Sequence, residues 1–254
     1  MQDFKNKEDF IESHGYIIDD LWYPRVTKIV EIKAKPALYR FYARMENFEA
    51  GERMKKLSAE EGTMVHEAVE DFLVGKTPVV DPRISPSVDA FLRFQKENNI
   101  EVRPEFVELR LLNRDERYAG TLDAIATIGG KTGILDIKTS QEIYRDYNLQ
   151  TSAYVAAMKD IVPDLETRWI LRIDQAKKCI RCGALLRTKG GRPQVKTQFG
   201  NKEMWRCRHE WGPTEGIVEL KEFPEWEPDY RAFLGAKKLW EWENEDILKE
   251  VGYL

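Results

Sequence analysis

Residues 117–138 read RYAGTLDAIATIGGKTGILDIK, and this stretch decides the fold of the chain. Two apolar runs flank Gly129-Gly130, and glycine readily takes the positive φ values that a tight hairpin turn requires. Counting outward from these glycines places Asp123 opposite Asp136. Side chains alternate between the faces of a strand, so Lys138 shares a face with Asp136. The hairpin therefore gathers two carboxylates and one ammonium group.

Such a trio has two interpretations. Carboxylates held close together repel one another, and a divalent cation between them removes that repulsion, which favours a site for Mg²⁺ or Mn²⁺. Asp123 and Asp136 would be its ligands, together with the backbone carbonyl of Ile137, while Lys138 would orient or deprotonate a water molecule. The alternative is an ordinary surface salt bridge within a hairpin.

The next segment favours the first interpretation. Residues 147–158 have the apolar spacing of a helix, on which Gln150 and Tyr154 lie four positions apart and project from one side. In order along the chain stand Gly120-Thr121-Leu122-Asp123, Asp136-Ile137-Lys138 and Gln150-Thr151-Ser152-Ala153-Tyr154. This series resembles the PD-(D/E)XK nuclease superfamily, and within it the RecB-like exonuclease branch. The resemblance covers about residues 58–175.

The resemblance implies the fold class α/β: a restriction-endonuclease-like core of a mixed β-sheet flanked by helices. It implies a metal-dependent DNA nuclease with Asp123, Asp136 and Lys138 as catalytic residues. Gln150 and Tyr154 would border the site and help to place the DNA. The whole chain, 1–254, is expected to form one such domain, acting as an exonuclease or flap-type enzyme in DNA replication, repair or recombination. Other proteins of these processes are expected partners.

His66 and Glu108 are two further candidates. A helix is predicted from about Ser58, where Ser58 and Glu61 fit a capping box, and His66 lies on it. A lone helical histidine is more often structural, but the spacing Gly62…His66 resembles the G-x-x-x-H motif of RecB-like nucleases, which implies a metal ligand. Glu108, in a strand predicted over 106–112, is either an accessory acid near the metal or a solvent-facing position.

Several classes of protein are disfavoured. A zinc protease would need a second histidine where Glu70 stands, and both Gly-Lys-Thr fragments lack the upstream glycine of a P-loop. No apolar run approaches the length of about 20 residues that crosses a bilayer. The N-terminus is too polar for a secretory signal, and three cysteines cannot all pair. A location inside the cell, in the cytoplasm, and no membrane partner are therefore expected.

All three cysteines fall within residues 175–215, a predicted insertion that we call the cysteine module. Cys179 and Cys182 form a Cys-x-x-Cys-Gly turn, and Cys207 and His209 follow at a distance, as in ribbon-type zinc sites. The predicted cofactor is a structural zinc ion. His209 is its least regular ligand, because the spacing Cys207-x-His209 is tighter than the usual Cys-x-x-Cys. Three free thiols and an iron–sulfur cluster are the alternatives.

The cysteine module is strongly basic, whereas the whole chain carries a net charge of −4. From Lys177 to Arg208 there are ten Lys or Arg residues and a single Glu. Such an imbalance predicts contact with DNA phosphates, although it is also compatible with a solvated insertion. The residues expected to contact DNA in this module are Arg181, Arg187, Lys189 and Arg192.

Two other functions stay open. One is a DNA-binding or scaffold protein that has a nuclease fold but no catalytic activity, although such a protein has no need of the Asp–Asp–Lys trio. The other is a CRISPR-associated RecB-like nuclease. That group carries four cysteines spread along the chain for an iron–sulfur cluster, which three cysteines confined to one insertion match poorly.

Overall fold

The computed structural model describes residues 4–197 and 201–254 of the chain. Residues 198–200, in the predicted cysteine module, lie outside the described residues. The α-helices are α1 (Lys7–His14), α2 (Val26–Val30), α3 (Pro36–Tyr42), α4 (Phe48–Leu73), α5 (Ser85–Glu97), α6 (Tyr147–Met158), α7 (Lys202–Arg206), α8 (Glu227–Glu243) and α9 (Glu245–Glu250). The strands are β1 (Gly15–Ile18), β2 (Leu21–Pro24), β3 (Glu101–Val102), β4 (Leu109–Asn113), β5 (Tyr118–Leu122), β6 (Ala124–Ile128), β7 (Lys131–Lys138), β8 (Leu165–Cys179), β9 (Leu185–Arg187), β10 (Gln194–Lys196) and β11 (Trp211–Glu222). Short 3₁₀ turns lie at Pro104–Phe106 and Lys189–Gly191.

The central sheet of the described residues is mixed, with the strand order β10-β9-β8-β7-β6-β3 and with β11 also paired to β8. Strands β7 and β8 are parallel, and the other pairs in this sheet are antiparallel. The connection between the parallel strands passes through α6, as such a crossover requires. The predicted fold class, α/β with a mixed sheet flanked by helices, is confirmed.

The glycine hairpin has the predicted register. Ile128 pairs with Lys131, and the ladder runs outward to Ala124 opposite Leu135. Gly129 and Gly130 both have positive φ, 59° and 82°, which is the conformation that a two-residue hairpin loop demands. The hairpin thus fixes which side chains of β6 and β7 share a face.

Two apolar clusters cover the two faces of the hairpin. Ile125 and Ile134 pack into a cluster with helices α6 and α8, whereas Ala124 and Leu135 pack into a second cluster with α4 and α5. This alternation follows the two-residue period of a strand. Helix α4 on one face of the hairpin and helix α6 on the other both lie near the end of β7, where the candidate site lies.

Two sequence predictions about element boundaries are wrong. Helix α4 begins at Phe48 and not near Ser58, because the side chain of Asn47 accepts a hydrogen bond of 2.8 Å from the backbone N–H of Ala50 and caps the helix there. Strand β4 begins at Leu109, because Glu108 has a φ of 52° and interrupts the extended backbone. No helix among residues 4–197 and 201–254 is long and apolar enough to cross a membrane.

Candidate functional site

Three side chains converge where α4 crosses the start of β6. His66 and Glu70 lie one turn apart on α4, and Asp123 directly precedes β6. One possible ligand atom from each residue lies within 4.8 Å of the others, and all three residues are half-buried. We call this group the acidic cluster. His66 and Glu70 of this cluster line a cleft of about 560 Å³.

The backbone of β7 holds one of these carboxylates in place. Asp123 Oδ2 accepts a hydrogen bond of 2.5 Å from the backbone N–H of Ile137. The side chain of Ile137 lies in the core cluster beneath α4 and α5, and its carbonyl stays a predicted ligand.

Asp136 and Lys138 share a face of β7, as predicted. Asp136 is fully buried, and Lys138 Nζ lies 2.6 Å from its Oδ2. The ammonium is close but lies off the direction of a hydrogen bond, so neither carboxylate oxygen of Asp136 has a hydrogen-bond partner among the described residues. Burial raises the pKa of Asp136 to about 6, against the opposing charge of Lys138. Burial also opposes the charge on Lys138, but Asp136 and Asp123 outweigh it and raise the pKa of the ammonium.

Glu108 lies beside the acidic cluster. Its backbone N–H donates a hydrogen bond of 3.0 Å to the carbonyl of Asp123, and its side chain lines the same cleft. The residue as a whole is exposed, yet partial burial of its carboxyl group, together with the charge and hydrogen bond of Glu70, raises its pKa to about 7. Burial lowers the pKa of His66, but Glu70 and Asp123 outweigh it and raise that pKa overall.

Glu70 was not predicted as a site residue. In the sequence, Glu70 stands out only because it occupies the position where a zinc protease would need a second histidine. The signal was present, since residues four apart on a helix lie on one face and Glu70 follows His66 by four. In the structure the two side chains do meet, with His66 Nδ1 3.7 Å from Glu70 Oε1.

Gln150 and Tyr154 lie on α6, as predicted, but Tyr154 does not face solvent. Its side chain is 1% exposed and packs so closely on Gly120 that a Cβ there would lie 2.6 Å from the ring. Gln150 donates a hydrogen bond of 2.9 Å to its hydroxyl. The ring of Tyr154 is therefore enclosed in the core beneath the site, and the part of Gln150 and Tyr154 in placing DNA stays a prediction.

A larger cavity of about 1100 Å³ adjoins the cleft and shares Ser58, Ala59 and Thr139 with it. We call this cavity the basic groove. Its described lining contains seven cationic side chains and no carboxylate. The cations are Lys35, Arg40, Arg44, Lys55, Arg187, Lys189 and Arg192.

The basic residues predicted to contact DNA are not equivalent. Arg187 Nε donates a hydrogen bond of 2.8 Å to buried Asp174, so its guanidinium is already engaged. Lys189 Nζ donates one of 2.8 Å to the carbonyl of Thr139, and burial, reinforced by the charge of Arg187, lowers its pKa to about 8. Arg192 lies over the ring of Phe41 at the groove, 5.7 Å from the centroid. Arg181 lies outside the groove and pairs with Glu210 at 2.9 Å.

The four predicted zinc ligands converge. Cys179, at the end of β8, is buried, and its Sγ lies 3.9 Å from that of Cys207, while Cys182 Sγ lies 3.4 Å from His209 Nδ1. All four ligand atoms lie within 4.8 Å of one another, and we call this group the cysteine cluster. Burial opposes ionisation of Cys179, but hydrogen bonds from the backbone of Cys182 and from His209 lower its pKa to about 5. The cluster is consistent with a structural zinc site.

Comparisons with known proteins give distant similarities only. No family model matches the chain, and no curated protein matches it. Among solved structures, that of SSO0001 is 13% identical over 86% of this chain and 75% of that chain, with a TM-score of 0.35. A "Putative exonuclease" from Eubacterium rectale is 12% identical over 100% of this chain and 88% of that chain, also with a TM-score of 0.35. The chain therefore has a weak structural resemblance to a protein described as an exonuclease.

Proposed function

We propose that this protein is a divalent-metal-dependent nuclease that hydrolyses phosphodiester bonds in DNA. The observation that carries the proposal is the acidic cluster of His66, Glu70 and Asp123, which lies beside the buried Asp136–Lys138 pair. Its His66 and Glu70 line a cleft. An exonuclease or flap-type activity in replication, repair or recombination is the finer form of the same proposal.

The donor set fits Mg²⁺ or Mn²⁺. Carboxylate oxygens are the ligands that these ions prefer, and Glu70 and Asp123 supply them. Burial and then the like charge of Glu70 raise the pKa of Glu108, and a cation would relieve the repulsion between the two carboxylates. Oδ1 of buried Asp136 has no hydrogen-bond partner among the described residues, whereas Oδ2 is paired with Lys138, which supports Oδ1 as a further ligand atom. When bound, the metal ion would polarise the scissile phosphate and lower the pKa of a water molecule.

Lys138 has a distinct role in this proposal. Because the neighbouring carboxylates raise its pKa, the side chain stays an ammonium ion at neutral pH. It therefore donates hydrogen bonds to the attacking water or to the phosphate and offsets the negative charge that develops in the transition state. This favours charge stabilisation over proton abstraction by Lys138.

The basic groove supports a nucleic acid as the substrate. Phosphate groups are bound by Lys and Arg, and a concentration of cations next to an acidic cluster attracts a polyanion while leaving the cluster free for metal. The cysteine module contributes Lys189 and Arg192 to the groove lining. We assign the cysteine cluster a structural zinc ion, which would hold this part of the module in shape.

Incubation of labelled DNA with the protein and Mg²⁺ or Mn²⁺ tests the proposal. Wild-type protein should cleave DNA only with added metal. Asp123→Asn and Glu70→Gln should reduce the rate by at least about a hundredfold, since loss of a residue that only orients a metal ligand already costs about 10- to 100-fold. Glu60→Gln, an exposed residue of the same helix, is the matched control and should retain full activity.

Titration calorimetry with Mn²⁺ gives a readout that is independent of cleavage. The wild type and Glu60→Gln should bind the ion, whereas Asp123→Asn should bind it much more weakly. DNA binding without cleavage under any metal condition would instead identify a catalytically silent DNA-binding protein and would refute the proposal.

A further inference from the structure

We propose that the basic groove binds single-stranded DNA and leads that strand to the acidic cluster. The inference rests on the proposed function and names the form of its substrate. It depends on three features of the groove: its charge, its aromatic side chains and its continuity with the cleft.

The charge of the groove suits a phosphate backbone. Its seven cationic side chains come from three separate parts of the chain, namely the α3 region, helix α4 and the cysteine module, so they face one another across the cavity. Lys35, Arg40, Arg44 and Lys55 are exposed. The described lining contains no carboxylate. Lys55 and Arg187 are paired with Glu52 and Asp174 outside the lining, which leaves the charge of Lys35, Arg40 and Arg44 for a polyanion. Such a groove follows a polyanion along its length.

Aromatic rings give the groove a second property. Phe41, Tyr144 and Tyr147 line it, and Tyr144 is 37% exposed. Tyr144 and Tyr147 contact each other edge to face, with centroids 5.8 Å apart, so this contact occupies only one of their ring faces. Bases stack on such rings without regard to sequence. Because the bases of a duplex are already stacked and paired, only a single strand can offer them.

The groove is continuous with the proposed metal site. Ser58, Ala59 and Thr139 line both cavities. Tyr147 connects the two, because it lines the groove while Lys138 Nζ lies 5.2 Å from its ring centroid. A strand stacked on Tyr147 therefore passes within reach of the lysine that we place in catalysis.

Helix α3 forms one wall of the groove and is suited to contact an extended ligand. None of its residues is buried, although it carries Leu38, Tyr39 and Phe41. Leu38 and Phe41 line the groove, whereas Tyr39 does not and is 64% exposed. The apolar side of α3 thus faces the space where bases would lie.

Fluorescence anisotropy with a labelled oligothymidylate and with a blunt hairpin duplex of equal length tests the inference. Binding is measured without Mg²⁺ or Mn²⁺ and without a chelator, so that no cleavage occurs and any zinc is retained. The wild type should bind the single strand more tightly than the duplex. This result is independent of whether the protein cleaves DNA, which the metal-dependent assay decides.

Two pairs of variants identify the surface. Arg40→Gln/Arg44→Gln should weaken binding of the single strand and reduce the slope of log K against log salt by about 1.4, because each phosphate contact contributes about 0.7 for single strands. Arg231→Gln/Lys238→Gln, on exposed positions of α8 outside the groove, removes the same charge and should bind as the wild type does. Tyr144→Ala should weaken binding about tenfold, the order of one lost base–aromatic stack, whereas Tyr39→Ala should leave it unchanged.

Tighter binding of the duplex, no binding of either DNA, or groove variants that match their controls would each overturn the inference. If Arg40→Gln/Arg44→Gln lowers the thermal unfolding midpoint, the comparison of Tyr144→Ala with Tyr39→Ala decides the matter alone. Loss of cleavage with retained single-strand binding would refute the proposed chemistry and leave this inference standing.

Discussion

Lys189 Nζ donates a hydrogen bond of 2.8 Å to the carbonyl oxygen of Thr139, the residue that directly follows Lys138. The same turn of the cysteine module also contacts α4, since the backbone N–H of Gly190 donates a hydrogen bond of 3.0 Å to Glu61 Oε1. One short turn thus joins the module to both elements that carry the acidic cluster and the Asp136–Lys138 pair.

Substitution of Gly190 should disrupt this contact. Gly190 has a φ of 69°, and a Cβ added there would lie 2.1 Å from Ser58 Oγ and 2.9 Å from the carbonyl of Met54. Gly190→Ala should therefore lower the free energy of unfolding by about 1–3 kcal/mol through overpacking. It should also lower the cleavage rate, because Lys189 and Arg192 lose their positions.

Gly191→Ala is the matched control. Gly191 has a similar φ of 79°, but a Cβ there would meet nothing within 4 Å. The backbone strain is shared by both variants, so urea unfolding measures the cost of the clash as their difference. Equal stability of the two variants would contradict the close contact of the turn with α4.

Removal of Lys138 should be costly for stability as well as for catalysis. Lys138→Met leaves the carboxyl group of Asp136 buried without its partner, which costs about 3–5 kcal/mol in the free energy of unfolding. Lys131→Met, in an exposed pair with Glu222 at 2.8 Å, should cost less than about 1 kcal/mol.

The double variant Asp136→Asn/Lys138→Met separates the two effects. It should recover part of the stability, because the uncompensated charge is gone, but it should not recover cleavage. Urea unfolding and the DNA cleavage assay measure the two quantities. A double variant that cleaves DNA would show that the pair has no part in catalysis.

Without a divalent cation, the contribution of Glu108 and Asp136 to the stability of the protein should fall as pH rises from about 5 to 8. The folded-state pKa of Glu108, about 7, lies above its ordinary value of 4.5, and that of Asp136, about 6, lies above 3.8. Groups with raised folded pKa values stabilise the protein below their unfolded values and lose this contribution as pH rises through the folded values. Because metal binding needs the carboxylates deprotonated, Mn²⁺ should stabilise the protein most at the upper end of this range.

Thermal unfolding across pH, with and without Mn²⁺, measures this linkage. Glu108→Gln should flatten the pH dependence of the metal-free protein. Glu105→Gln, an exposed neighbour, should not change it. A pH dependence that Glu108→Gln leaves unchanged would contradict the raised pKa of Glu108.

Purified protein should contain about one equivalent of zinc, held by the tetrahedral set of ligands that structural sites use. Cys182→Ser should lose the metal and lower the thermal unfolding midpoint, whereas His209→Cys should retain the metal because a thiolate replaces the imidazole. Arg208→Gln, at an exposed position between two of the ligands, is the control. Metal analysis decides the outcome, and iron in place of zinc would contradict it.

Local patterns predicted the parts of the site that depend on one element. The register of the glycine hairpin follows from turn geometry, and the bounds of α6 match the predicted helix of residues 147–158. Helix spacing contained the pairing of His66 with Glu70, although that signal was overlooked. These features need only the periodicity of a helix or a strand.

Contacts between distant segments were beyond such reasoning. Lys189 and Thr139 are fifty positions apart, and their contact depends on how the cysteine module turns back on α4. The burial of Tyr154 on α6 depends on Gly120 in strand β5. The start of α4 depends on the cap at Asn47, and the local sequence at Ser58 matched a helix start equally well. Tertiary packing selects among locally plausible alternatives, and single-element patterns do not contain it.

The continuity of strand β8 restricts insertions and deletions in the segment that joins the sheet to the cysteine cluster. It is continuous from Leu165 to Cys179, and it pairs with β7 through Arg172 and with β11 from Trp169 to Cys179. Deletion of a single residue between Arg172 and Cys179 would turn Cys179 to the opposite side of the strand. Only deletions or insertions of an even number of residues keep that thiol on its original side, so parity constrains how this segment can change in length.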